Sequence, residues 1–266
     1  MKRKNVWVAI ALTMMAAVVA GCSKDDSGTD DGSTDPQPEP VVSPEIPDNT
    51  EPEFNGISLM NPKNATQTTS YINGAEIRKD GYGHIKWLFF QDCPNPPATA
   101  VEMFQQYMEL DTDDSFELYR QERKSKEESS PLTLECYFQR YKGVLVSAAG
   151  YAVRFNEGKV TDCNGSYLEI KDLDVKPAIS TLKAREIYAK YLGVSVDLIT
   201  EKGTNPWVND CLIIMDLPID RNSTEWAPRL VYSFYFKGMS NEGMAYIDAQ
   251  TGRMLMTSPN YIDWKE

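Results

Sequence analysis

Histidine is almost missing from this sequence: a single imidazole, His84, serves 266 residues. A zinc peptidase of the H-E-x-x-H type needs two histidines and a further ligand, so that centre cannot be assembled from these residues. Any Ser-His-Asp or Cys-His arrangement would have to be built on His84. Basic residues are also in short supply, with 27 Lys and Arg against 39 Asp and Glu and a formal charge of −12. Nucleic acid is thereby a poor partner, because binding it depends on neutralising phosphates with clustered Lys and Arg. No two of the five cysteines stand as C-x-x-C, which argues against a zinc knuckle and a thioredoxin-like redox site. The apolar run over residues 6–20 falls short of the roughly 20 residues that a spanning helix needs.

That run follows Lys2, Arg3 and Lys4 and ends at Gly21-Cys22, the layout of a secretory signal peptide over residues 1–21. Val19-Ala20-Gly21-Cys22 resembles the lipobox of bacterial lipoproteins, in which small residues admit the peptidase and the cysteine thiol carries diacylglycerol. The resemblance implies cleavage before Cys22, a lipid anchor on Cys22, and a folded part outside the cytoplasm. Ser23-Lys24-Asp25-Asp26 resembles the lysine-plus-acidic signal that sends some lipoproteins of Gram-negative gut bacteria to the outer face of the outer membrane. A surface-exposed, lipid-anchored outer-membrane protein is therefore expected. Residues 22–53 are dominated by Asp, Ser, Thr, Gly, Pro and Glu and bury too little apolar surface to offset their ordering entropy, which predicts a disordered tether. With Cys22 acylated, Cys93, Cys136, Cys163 and Cys211 remain. Export permits disulfides among them, three pairings are possible, and buried free thiols are the alternative.

Residues 54–97 carry turn dipeptides at Asn73-Gly74 and Asp80-Gly81 and a strand candidate at 84–90, with no function assigned to the segment. Thr99 and Glu102 then form a capping box for a helix whose core stripe is Ala100, Met103, Phe104, Tyr107 and Met108. A polar loop is expected up to Ser130. Leu132, Leu134, Cys136 and Phe138 alternate with Thr133, Glu135, Tyr137 and Gln139, and the apolar set is expected to face the core. Tyr151, Val153 and Phe155 continue the alternation, and Asn156-Glu157-Gly158-Lys159 turns the chain into residues 160–164. The order recurs: Ser180 or Thr181 caps a helix with the stripe Ala184, Ile187, Tyr188, Tyr191 and Leu192, stopped by Gly193. Strands are expected at 211–215, 229–236, 243–248 and 253–256. Helix followed by antiparallel strands, twice over, predicts an α+β fold of two consecutive units, each a helix packed on an antiparallel sheet.

Phe138-Gln139-Arg140-Tyr141-Lys142-Gly143-Val144-Leu145-Val146, with residues 151–155 and Gly158-Lys159-Val160-Thr161-Asp162-Cys163-Asn164-Gly165-Ser166, resembles the FTP domain. That domain is the N-terminal half of the propeptide in fungalysin and thermolysin-like metallopeptidases. The resemblance covers about residues 98–173 of an FTP-like domain expected at 98–175, with Leu145 where the family usually has proline. Residues 176–258, through the helix at 182–192, Leu230-Val231-Tyr232-Ser233-Phe234 and Tyr246-Ile247-Asp248-Ala249-Gln250-Thr251-Gly252-Arg253, look like a PepSY domain, which follows FTP in those propeptides. Residues 259–266 form a C-terminal tail. Gly143 and Gly165 are expected at turns.

The paired resemblance implies a propeptide-like protein that binds, chaperones or inhibits an exported peptidase. No catalytic, metal-binding or cofactor-binding residue is assigned and no enzyme activity is expected; the site residue named is Cys22. The alternative class is an envelope accessory or glycan-binding lipoprotein, with Trp207, Trp226 and Trp264 as a sugar-stacking platform.

Overall fold

The computed structural model describes residues 51–55, 61, 67–123, 133–200, 210–236 and 243–258. The expectations placed on the signal peptide, Cys22, most of the tether, Trp207, Trp264 and the C-terminal tail lie outside these residues.

Three strands open the fold: β1 (Thr68–Ile72), β2 (Ala75–Lys79) and β3 (Ile85–Phe89). The β1–β2 hairpin turns on Asn73 (φ 51°) and Gly74 (φ 83°), the left-handed pair that matches strand twist. Helix α1 (Ala100–Tyr107) starts at Thr99, whose side chain accepts from the Glu102 N–H at 3.1 Å. Glu102 reaches back to accept from the Ala98 N–H at 2.8 Å, so the capping box forms one residue wider than the usual one. Then come β4 (Asp114–Arg123), β5 (Thr133–Tyr141), β6 (Val144–Asn156) and β7 (Lys159–Ser166). Helix α2 (Thr181–Leu192) is capped by Ser180 and ended by Gly193 at φ 68°, a left-handed stop that glycine adopts freely. A short 3-10 turn leads to β8 (Ile199–Thr200), β9 (Leu212–Pro218), β10 (Trp226–Phe236), β11 (Gly243–Asp248) and β12 (Met254–Ser258).

The twelve strands of the described residues belong to one sheet, whose main path runs β1-β2-β3-β7-β6-β9-β10-β11-β12. The pairings are antiparallel except β6 with β9, which is parallel through Leu145↔Ile213 and Val146↔Ile214. This corrects the α+β expectation of two separate helix-on-sheet units: the architecture is mostly β, one large mixed sheet with two α-helices among the described residues. Two causes are local. The expected polar loop contains β4, which pairs along β5 from Asp114↔Tyr141 to Arg123↔Thr133. Residues 54–97 add three strands, joined to β7 through Trp87↔Asn164 and Leu88↔Cys163.

Helix α1 places Met103 and Phe104 over Leu88, Tyr151, Val153 and Cys163. Helix α2 places Ile187 and Tyr188 over Ile214, Phe234 and Ile247. The opposite face of β9 and β10 is covered by Phe54, fully buried against Ile213, Leu217, Val231 and Leu255. Both faces are thus dry at Ile213-Ile214 and Leu230-Val231, where the strands read as nearly continuous apolar runs. Tyr191, expected in the core stripe of α2, is exposed.

In β5 the expected facing is reversed in part. Tyr137, Gln139 and Tyr141 are buried while Leu134 and Phe138 are only half-buried. The polar-looking phase holds two tyrosines whose rings fill core, and a glutamine fully satisfied by hydrogen bonds. Gly143 does sit in a turn, at φ 81° after Lys142 at φ 46°. Gly165 does not. It lies inside β7, where a Cβ would stand 2.0 Å from the Gly150 carbonyl oxygen, so its role is close backbone approach.

Candidate functional site: a cleft where the sheet forks

Strand β6 is shared between two neighbours on one edge. β7 pairs with it from Gly150 onward, and β9 pairs with it at Leu145 and Val146. Residues 147–149 lie between, where the two neighbours diverge. On the other edge, the pairs Phe138↔Gly150 and Arg140↔Leu145 leave residues 146–149 of β6 opposite Gln139 alone. The surplus residues bulge, with Ala148 at φ 59° and Gly150 at φ 150°, and such bulges re-aim side chains and end pairing. Ser166 donates from Oγ to the Ala148 carbonyl at 2.7 Å, fixing the end of β7 to the bulge.

The resulting cleft has a volume of about 280 Å³ and draws its walls from distant parts of the chain: Asn61, Tyr82 and His84; residues 147–149 and 166–169; and Met215, Asp216, Trp226 and Pro228. Asp80 aims the first group. Its Oδ1 accepts from the N–H groups of Tyr82 at 2.9 Å and His84 at 3.0 Å. The Tyr82 and His84 rings stack with centroids 6.0 Å apart, and His84 meets Tyr167 edge-on at 5.2 Å. His84 Nε2 lies 3.6 Å from Glu169 Oε2, while Nδ1 is buried without a hydrogen-bond partner. Lys171 holds the other Glu169 oxygen at 2.7 Å and, ahead of His84, lowers the carboxyl pKa.

Asp216 sits on β9 in the middle of an apolar strand. Asn61 Nδ2 donates to its Oδ2 at 2.9 Å and to the Tyr82 hydroxyl at 2.5 Å. Burial raises the Asp216 pKa above its ordinary value, opposed by the Asn61 bond. The 167–169 wall is held from behind. Gln139 bonds both backbone groups of Leu168, and the Tyr167 hydroxyl donates to Asp114. A second cavity of about 440 Å³ shares Tyr82, His84, Tyr167 and Glu169 and continues past Glu109 and Asp111. His84 therefore stands on the partition between two lobes.

The arrangement offers hydrogen-bond acceptors, aromatic faces and negative charge. Ser166 spends its proton on the Ala148 carbonyl, so it is not aimed at His84 as a nucleophile. Among the described residues no group of three or more His, Cys, Asp or Glu is placed to hold a metal, and no helix is long and apolar enough to cross a membrane. Cys93, Cys136 and Cys163 are free thiols. Cys163 is fully enclosed, and burial pushes its thiol far up.

No protein-family model and no curated protein matches this chain. Among solved structures it is similar to the Bacillus megaterium YpeB C-terminal domain. The identity is 13% over 72% of this chain and 80% of that one, with a TM-score of 0.33. A likeness of that size says nothing about function, so the FTP-like and PepSY-like reading rests on the sequence motifs.

His84, set apart in the sequence as the lone histidine of a segment without a role, is brought into the cleft. Of the three tryptophans considered for stacking, Trp226 lines it. No sequence motif marks Asn61, Tyr82, Tyr167 or Glu169. Asp216 did carry a signal, a carboxylate inside Leu212-Ile213-Ile214-Met215-Asp216-Leu217, where a charge in a buried strand asks for an explanation.

Proposed function

We propose that this chain is an exported, lipid-anchored module that binds another exported protein by offering the edge of its sheet. The observation that carries the reading is β1. Every residue of Thr68-Thr69-Ser70-Tyr71-Ile72 is exposed, Tyr71 at 71% and Ile72 at 49%. Among the described residues β1 pairs with β2 alone. Proteins commonly guard such edges with charge, proline or a bulge. β4, another edge, has Glu117, Arg120 and Glu122 and a bulge at Leu118/Arg120. β1 has none of these. An unguarded strand of this kind suits β-augmentation, in which main-chain bonds give affinity and alternate side chains give selectivity.

The order of FTP-like and PepSY-like motifs supports a metallopeptidase of the thermolysin-like class as the partner, engaged in trans and slowed without any hydrolysis by this chain. The lipobox-like Cys22 supports a lipid anchor at the outer membrane, facing the cell surface. The test is capture of the partner from the organism's own envelope and secreted fraction by the lipidated protein. The control is the Tyr71→Asp/Ile72→Lys double variant, which alters exposed side chains and holds stability within about 0.5 kcal/mol per site. Recovery of a metallopeptidase by the wild type, lost in the double variant, is expected. Equal recovery by both would remove β1 from the account, and recovery of no protein would remove the binding reading.

A further inference from the structure

Among the described residues the fork cleft carries more negative than positive charge. Two carboxylates line it, Asp216 and Glu169, and among the described residues its walls contain no Lys or Arg. Glu169 is partly answered at the rim by Lys171 and His84. Asp216 is not. It enters none of the ion pairs found among the described residues, and the hydrogen bond it accepts comes from the neutral amide of Asn61. A half-buried carboxylate without a counter-charge is costly, and binding sites are where such costs are retained.

The walls narrow the chemistry. Trp226, Tyr82 and Tyr167 line the same space, and a cation placed over an aromatic face is attracted by the ring quadrupole. A volume of about 280 Å³ lies at or below the small end of the roughly 300–1,000 Å³ typical of ligand pockets. It suits one long side chain better than a whole cofactor. The second lobe beyond His84, with Glu109 and Asp111 on its walls against Lys79, adjoins the cleft and gives an extended chain a second place to rest, which a free amine does not need.

We infer that the fork cleft receives a lysine or arginine side chain of an extended partner segment, with Asp216 as its counter-charge and Trp226, Tyr82 and Tyr167 as its aromatic walls. This rests on the binding-module reading and names the chemistry of the partner. The partner's backbone runs across His84 from one lobe to the other, and specificity comes from the cation.

The test uses the purified mature protein and fluorescein-labelled Gly/Ser host peptides carrying one central Arg, Lys, citrulline or norleucine, read by anisotropy. Arg or Lys peptides are expected to bind at least tenfold more tightly than the neutral pair, a gap of about 1.4 kcal/mol. Asp216→Asn is expected to remove that gap. The wild-type comparison of arginine with citrulline needs no variant to fold. Binding indifferent to charge, no binding up to about 1 mM, charge selectivity undiminished in Asp216→Asn, or displacement of the peptides by neutral saccharides would each overturn the inference. Capture of an exported partner through β1 is read independently. If capture persists while the peptides ignore charge, the cleft assignment alone fails.

Discussion

Gln139 brackets the backbone of Leu168: its Nε2 donates to the Leu168 carbonyl at 2.7 Å and its Oε1 accepts from the Leu168 N–H at 2.9 Å. The same Nε2 reaches Asp114 at 2.9 Å, so one fully buried amide joins β4, β5 and the wall of the cleft. Gln139→Leu would leave both Leu168 groups and one Asp114 oxygen short of a partner. A loss of about 1–3 kcal/mol in urea unfolding is expected, with faster amide exchange at residues 167–169. Wild-type stability and exchange in this variant would show that the bracket is incidental.

The glycines at the fork should divide by geometry. Gly165→Ala puts a Cβ 2.0 Å from the Gly150 oxygen, and Gly150→Ala puts one 2.1 Å from the Tyr137 oxygen. Backbone must move in both, at about 1–3 kcal/mol or more each. Gly143→Ala meets open space but keeps φ at +81°, so about 1 kcal/mol is expected. Thermal unfolding of the three variants gives the ranking, and a Gly143 variant as damaged as Gly165→Ala would contradict it.

Asp216 has a pKa raised chiefly by burial. The native state then holds that proton more firmly than the unfolded chain. The contribution to stability is complete below the unfolded carboxyl pKa of about 3.9 and is lost as pH rises through the higher folded value. Asp216→Asn should therefore melt no lower than wild type at pH 7, and its advantage should shrink as pH falls toward 4. A variant that melts lower at pH 7 would mean that the carboxylate is structural.

The anchor is read on Cys22. Cys22→Ser is expected to abolish labelling by an alkyne fatty acid and to leave a soluble or uncleaved product. Equal label on wild type and variant would exclude this cysteine as the acylation site.

Local signals in the sequence were legible where a few neighbours decide the outcome. Thr99, Ser180 and Gly193 cap the helices as their side chains and left-handed φ dictate, and Glu157-Gly158 makes the β6–β7 turn. The sheet order was not legible, because the parallel junction of β6 with β9 joins residues nearly seventy positions apart, and nothing within either strand marks its neighbour. β5 misled for a related reason. Tyr137 and Gln139 read as a solvent face by polarity, yet Tyr137 packs on Phe104 and Gln139 is satisfied by a loop that sequence alone does not bring near. The cleft stayed hidden because it exists only where β7 and β9 part.

The central claim is binding in trans, and titration tests it most directly. Purified mature protein is added to thermolysin-like metallopeptidases secreted by the same organism, beside the Tyr71→Asp/Ile72→Lys variant, and residual hydrolysis of a fluorogenic peptide is followed. The account predicts saturable slowing of at least one peptidase by the wild type, no hydrolysis by this chain alone, and at least tenfold weaker slowing by the variant, about 1.4 kcal/mol. Full peptidase activity and no complex at high micromolar concentration across the panel would contradict it.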